Sequence, residues 1–250
     1  MKTRPFEQRE PAGPALVRLA LGAPRGLVIA ALALAFGCVG PEPEPEPEIG
    51  LLHQAVAAYC SVSVSGVGTR DVEEDYLPHV VACENSAASF EALRAQAVAA
   101  RSYMYYKLET AGSVRDGTSD QVYSCGRAPG PEHYEAVRST SGQILRYSGV
   151  TVCSFYVAGA IPSASSCVAS GSDRDPTGTE HYVTYNDGRT GGGIEQTSLG
   201  WISPSNTRNR GCMSQNGSDC LSDGGRTYEE ILRFYYGADI TIDGHAATEY

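Results

Sequence analysis

Apolar residues recur at Phe90, Leu93, Ala97, Ala100, Met104 and Leu108, at the spacings of three and four that mark one face of a helix. The spacing predicts a helix over residues 90–108, with Ser89 as its N-cap and Gly112 as its stop. Its middle, ALRAQAVAAR, is rich in alanine, so other elements can approach it closely and it should pack at the centre. Upstream, Cys60-Ser61-Val62-Ser63-Val64 alternates as a strand does. Downstream, residues 143–147 and 150–157 are apolar, β-branched and aromatic runs about Ser148-Gly149, a two-residue hairpin signal. Residues 181–185 read as a further strand. The last helix opens with the capping box Thr227-Tyr228-Glu229-Glu230, runs through Ile231, Leu232, Phe234 and Tyr235, and ends at Gly237. Residues 240–242 close as an edge strand. Segments 158–180 and 186–226 are dense in Gly, Ser, Asn and Asp, which predicts long surface loops. Two helices among several antiparallel strands make the expected class α+β: a single domain over residues 51–250, its central Ala-rich helix packed on antiparallel strands, its long loops braced by disulfides.

The first 50 residues follow another logic. Lys2, Arg4, Arg9, Arg18 and Arg25 precede the uncharged run GLVIAALALAFG at residues 26–37. Twelve residues suit a signal-peptide hydrophobic region and are short for a bilayer span. The run ends Ala35-Phe36-Gly37-Cys38, which resembles a bacterial lipoprotein cleavage box with Cys38 as the lipidated residue. Four Pro-Glu repeats follow, Pro41 to Glu48, an extended and self-repelling tether. The organisation expected is therefore a signal peptide at 1–37, an anchor and tether at 38–50, and an exported, lipid-anchored envelope protein. An ordinary secretory signal with a plain linker is the alternative, and it too implies export.

Export changes how charge and cysteine are read. The whole chain has a net charge of −10, but the leader holds five basic and two acidic residues. Residues 38–250 thus keep 14 basic against 27 acidic residues, a net of −13. No stripe of Lys and Arg is present, so nucleic acid is not an expected partner. Beyond Cys38 stand Cys60, Cys83, Cys125, Cys153, Cys167, Cys212 and Cys220. Most should pair in an oxidising compartment, and Cys153/Cys167 and Cys212/Cys220 are the closest pairings in sequence.

Motifs for nucleotide, serine-hydrolase or zinc-protease chemistry are absent from the sequence. His79 and Cys83, four apart, could share a helical face as metal ligands. In an exported protein a disulfide cysteine beside an unrelated histidine is the favoured reading of them, and His133 with Cys125 is no stronger. Glu84 stands apart because it follows the apolar stretch Val80-Val81-Ala82-Cys83. Apolar surroundings disfavour a carboxylate and raise its pKa, as a general acid requires. A solvated glutamate near a helix end is the bland alternative.

The run Tyr76-Leu77-Pro78-His79-Val80-Val81-Ala82-Cys83-Glu84, followed by Phe90-Glu91-Ala92-Leu93-Arg94-Ala95-Gln96-Ala97-Val98-Ala99-Ala100-Arg101-Ser102-Tyr103, resembles the signature of the SpoIID/LytB family of stage II sporulation protein D and the amidase enhancers. Gln121-Val122-Tyr123, the segment from Ser139-Thr140-Ser141-Gly142 through Tyr156, and Met213-Ser214-Gln215 with Tyr228-Glu229-Glu230-Ile231-Leu232 resemble further family blocks in the family's order. The resemblance spans about residues 56–242.

It implies peptidoglycan chemistry: a lytic transglycosylase acting on glycan strands stripped of their stem peptides, with Glu84 as the catalytic acid and base. That mechanism calls for no metal or cofactor. Gln96, Arg101, Gln121, Tyr123 and Gln215 match polar positions of the motifs and are the candidate substrate-binding residues. Arg101 could instead be the buried partner of a carboxylate, and Tyr123 could be core. The family also implies a second function, non-catalytic binding to peptidoglycan to enhance a cell-wall amidase. This chain departs from the pattern at Asn85-Ser86, where the family has Met-Pro, and at Asp120-Gln121, where a cysteine serves some members as a zinc ligand. It departs again at Ala158-Gly159-Ala160, in place of Ser-Gly-Gly, and at Arg208-Asn209-Arg210, in place of Gly-His-Gly.

Overall fold

The alternation at residues 61–65 builds the first strand. In a computed structural model that describes residues 58–199 and 206–244, β1 (Ser61–Ser65) turns Val62 and Val64 into the core and its serines outward. It pairs antiparallel with β2 (Gly68–Asp71). The Asp71 carboxylate then accepts the Glu74 N–H at 2.7 Å, and a π-helical turn over Val72–Tyr76 leads directly into α1 (Leu77–Asn85). After a short link comes α2 (Phe90–Ala111), which Gly112 ends in the left-handed conformation at φ 71°, donating its N–H to the Leu108 carbonyl.

β3 (Val114–Arg115) joins β1 in parallel, giving a three-stranded sheet of order β2-β1-β3. Next come α3 (Pro131–Ser139), β4 (Gln143–Tyr147) and β5 (Val150–Thr151). The two strands form the expected hairpin, with Ser148 and Gly149 both at positive φ. β6 (Phe155–Val157) and β7 (Cys212–Ser214) form a parallel pair. α4 (Gln215–Asp223) and α5 (Tyr228–Tyr236) follow, and β8 (Thr241–Gly244) closes antiparallel on β4 at the edge of the order β5-β4-β8.

The class is α+β, with α2 at its centre. Ala95, Ala97, Ala99 and Ala100 are fully buried. Their small side chains leave the backbone of α2 within reach of its neighbours: the Ser154 hydroxyl donates to the Ala99 carbonyl at 2.7 Å, and Gln121 Nε2 to that of Ala100 at 3.1 Å. One side of α2 packs with Val80, Val81, Val114 and Ile144. The other packs with Leu145, Met213, Ile231 and Leu232. Phe90, at the head of the expected apolar face, is 43% exposed.

Several expectations are corrected. Among the described residues five α-helices, not two, surround or form the core, and the strand pairing is mixed rather than all antiparallel, with β3 parallel to β1 and β7 parallel to β6. α1 is too short, with its apolar residues clustered, to show a helical period, and α4, QNGSDCLSD, reads as loop. Residues 150–157 are not one strand. Val152, Cys153 and Ser154 are all buried, Cys153 donates its N–H to the Arg208 carbonyl, and the chain bends before β6 pairs elsewhere. Residues 181–185 hold a 3-10 turn (Glu180–Tyr182) and irregular chain, with Thr184 N–H bonded to the Cys212 carbonyl. Among the described residues the disulfides are Cys83–Cys125 and Cys167–Cys220. Cys153 and Cys212, expected to pair with Cys167 and Cys220, are buried thiols beside Tyr103 and Phe155, and burial pushes both thiols up. Nearness in sequence misled there, because the β6–β7 pairing draws Cys153 and Cys212 inward. The signal peptide, Cys38 and the Pro-Glu tether lie outside the described residues.

Candidate functional site

α1 buries Leu77, Val80, Val81 and Ala82, and this anchors its last turn with the Glu84 side chain half-buried at the protein surface. Oε1 of Glu84 accepts the Val122 N–H at 2.7 Å, and Oε2 accepts from Gln215 Nε2 at 3.2 Å. Burial raises the pKa of this carboxyl, and the two hydrogen bonds, to Val122 and to Gln215, pull it partly back. No charged neighbour among the described residues contributes to the shift. The position at the carbonyl end of a helix also disfavours negative charge.

Each partner of Glu84 is fixed from behind. Gln121 is fully buried and uses its whole amide: Oε1 accepts from the Tyr76 hydroxyl at 2.7 Å, and Nε2 donates to the Ala100 carbonyl and to the Tyr156 hydroxyl at 2.7 Å. Asp116 accepts the N–H groups of Tyr123 at 2.9 Å and Ser124 at 3.1 Å. Between these anchors the Val122 N–H can point only at Glu84. Gln215 is the first residue of α4, where Ser214 caps the helix by accepting the Gly217 N–H at 2.9 Å. The adjoining Asn216 holds the Ala158 and Gly159 carbonyls through its N–H and side-chain amide. Gly159 is obligatory there: its φ is +67°, and a Cβ would lie 2.2 Å from Ser214 Oγ. Burial pushes the hydroxyls of Tyr76 and Tyr156 up, and the nearby Glu84 charge adds to both, so the carboxyl has neutral phenols around it.

The structure thus brings Glu84, Gln121 and Gln215 together, Gln121 acting through the backbone of its neighbour. Tyr123 is half-buried at the margin; its hydroxyl donates to Asp75 at 2.8 Å, and its ring stacks on Tyr76 with centroids 5.7 Å apart. Arg101 lies apart from them, wholly buried. Its Nε and Nη2 each donate to a Glu73 carboxylate oxygen at 2.7 Å, and its remaining donors reach the carbonyls of Thr140, Gln143 and Val137. That is the structural alternative weighed from sequence. Gln96 is also wholly buried, and its amide meets no hydrogen-bond partner among the described residues. Sequence reasoning missed Val122, which acts by its backbone and carries no side-chain signal beyond lying between two matched residues. It also missed Tyr76 and Tyr156, although both stand in the matched blocks.

The departures from the family pattern are absorbed by new partners. Asp120 pairs with Lys107 at 3.0 Å and accepts from the Tyr103 hydroxyl at 3.1 Å. Arg210 is buried, pairs with Asp239, and lies 3.7 Å over the Tyr147 ring. Asn209 donates to the Thr197 carbonyl at 2.9 Å. Ser86 receives the Arg127 guanidinium, and its carbonyl lies 3.2 Å from His133 Nε2. Cys83, considered with His79 as a metal ligand, is in a disulfide, and His79 Nδ1 is bonded to the Asp75 carbonyl at 2.8 Å.

Residues 66–147 match the family model SpoIID, described as stage II sporulation protein. No curated protein matches the chain. The matched segment includes Glu84 and Val122, while Gln215 lies beyond its end. The match ties the chain to a cell-wall or sporulation-related function.

Proposed function

We propose, on the match of residues 66–147 to the SpoIID family model, that this protein is a peptidoglycan lytic transglycosylase. It cleaves peptide-stripped glycan strands next to N-acetylmuramic acid and leaves 1,6-anhydro ends, in wall remodelling or sporulation. The observation that carries the reading is Glu84: a half-buried carboxyl with a raised pKa, held by two uncharged donors and moved by no neighbouring charge.

Glycoside hydrolysis by the usual route needs two carboxyl groups across the bond, about 5–10 Å apart. A lytic transglycosylase needs only one, because the substrate supplies the nucleophile. Protonated Glu84 gives its proton to the glycosidic oxygen as the bond to the anomeric carbon breaks. The resulting carboxylate takes the proton of the muramic acid 6-hydroxyl, whose oxygen closes on that carbon. The Val122 N–H steadies the ionised form. The Gln215 amide serves both forms, since it donates to a carboxylate and, turned over, accepts from a carboxylic acid. In this reading Gln215 and Tyr123 are the side chains that would meet sugar hydroxyls and ring faces. Gln121 acts from inside the wall of the site, through the backbone of Val122.

The net charge of −13 on residues 38–250 favours uncharged contacts with bare glycan over electrostatic capture. Export and a lipid anchor at Cys38 would put the site in the envelope, beside its polymer. The test is to incubate peptide-free strands with wild type and Glu84→Gln. Both should sediment with insoluble glycan, and only wild type should release soluble fragments. Sedimentation by both without release would point to the enhancer of an amidase instead. Failure of both to bind would remove peptidoglycan as the ligand.

A further inference from the structure

The segment from Gln121 to Arg127 crosses the end of α1 like a strap. It touches Glu84 through the Val122 N–H, and three residues later Cys125 bonds to Cys83, the residue next to Glu84. Arg127 Nη1 then donates to the Ala82 carbonyl at 3.1 Å and to the Ser86 hydroxyl. The bonds of Gln121 and Asp116 fix the strap to α2 and β3, but they do not fix the last turn of α1. That turn, Cys83 to Asn85, is only half-buried, whereas Val80, Val81 and Ala82 before it are fully buried. Arg127 ties the strap to residues on either side of Glu84, and the covalent link at Cys83 is the tie directly beside Glu84, at the point where the carboxyl must meet its donor.

We infer that the Cys83–Cys125 disulfide is a positioning element for Glu84, and that reducing it uncouples Glu84 from the Val122 N–H. The inference rests on reading Glu84 as the acting group. Cys167–Cys220 joins a loop to the middle of α4, touches neither Glu84 nor Val122, and can reach Glu84 only through Gln215, so the Val122 readout separates the two disulfides. Reduction needs a dithiol. Two electrons and two protons pass to the protein, giving the thiols of Cys83 and Cys125, and the dithiol leaves as its own disulfide. In an oxidising envelope the bond stays closed. A strongly reducing surrounding switches the site off without unfolding the core.

The test uses the full-length chain as wild type, Cys83→Ser/Cys125→Ser and Cys167→Ser/Cys220→Ser. Amide hydrogen exchange is read at Val122 and in α2, alongside the rate of glycan fragment release. The expected result is exchange at Val122 at least about tenfold faster in Cys83→Ser/Cys125→Ser only, with α2 still protected. Fragment release by that variant should fall by about tenfold or more through misplacement of the acid. If the variant does not fold, Cys167→Ser/Cys220→Ser reduced after folding with a dithiol supplies the same comparison. Unchanged protection at Val122, or lost protection with an unchanged rate, would overturn the inference. If no form cleaves glycan, the lytic reading fails while the exchange ratio still decides whether the disulfide positions Glu84.

Discussion

Glu84 and Arg101 come from one continuous stretch of family signature, and the fold uses them in opposite ways. Arg101 is wholly buried with every donor occupied, two by the Glu73 carboxylate and the rest by backbone carbonyls of α3, β4 and the turn between them. It joins α2 to its neighbours, and nothing remains for a ligand. Glu84 is half-buried, has no charged partner, and meets two donors that satisfy it incompletely, so its pKa stays raised. A buried ion with a full complement of partners is structure. A partly buried one left short of partners is poised to exchange a proton. A shared motif does not separate the two roles; the partner count does.

The sharpest break in that comparison is a double dissociation. Glu84→Gln should cut fragment release by about 10²–10⁴-fold, the usual worth of a general acid and base, with no loss of stability in urea. Arg101→Ala should do the reverse. It strands three carbonyls and a carboxylate, so it should lose about 3 kcal/mol in urea denaturation, while the folded fraction cleaves at the wild-type rate per molecule. Equal damage to activity and stability in both variants would dissolve the distinction.

A smaller effect is expected at Gln215. Its amide lowers the Glu84 pKa, so Gln215→Leu should move the limb of the pH–rate profile that reports Glu84 upward and reduce the rate by about tenfold. The smallest effect is on stability. Because burial raises the folded-state pKa of Glu84, its contribution to stability is whole below the unfolded carboxyl pKa and is lost as pH rises through the folded value. Glu84→Gln should therefore melt about one to three degrees above wild type at neutral pH, and the gain should vanish in acid. Thermal melts across that range would show it.

The long elements were legible because their patterns are local. α2 shows its period over six turns, and the Thr227–Glu230 box of α5 closes as read, with Thr227 and Glu230 capping each other. α1 and α4 were not. One is nine residues long, its apolar residues too clustered to show a period, and follows a π-helical turn; the other is polar, contains Gly217, and is held by its Ser214 cap and the Cys220 disulfide. Both depend on tertiary partners that no window of sequence contains. Glu84 was singled out by the apolar run before it together with its place in the family-like signature, and burial does raise its pKa. Its donors were not, because Val122 acts through its backbone and Gln215 lies 131 residues away. The disulfides follow spatial neighbourhood as well, which is why Cys83 finds Cys125.

The central claim is that one carboxyl performs both proton transfers, and the ends of the product test it most directly. Peptide-free glycan strands digested by the full-length chain and analysed by mass spectrometry should yield 1,6-anhydro-muramic ends, absent with Glu84→Gln. Ordinary reducing ends from wild type would contradict the account, because they require water as nucleophile and a second carboxylate to activate it.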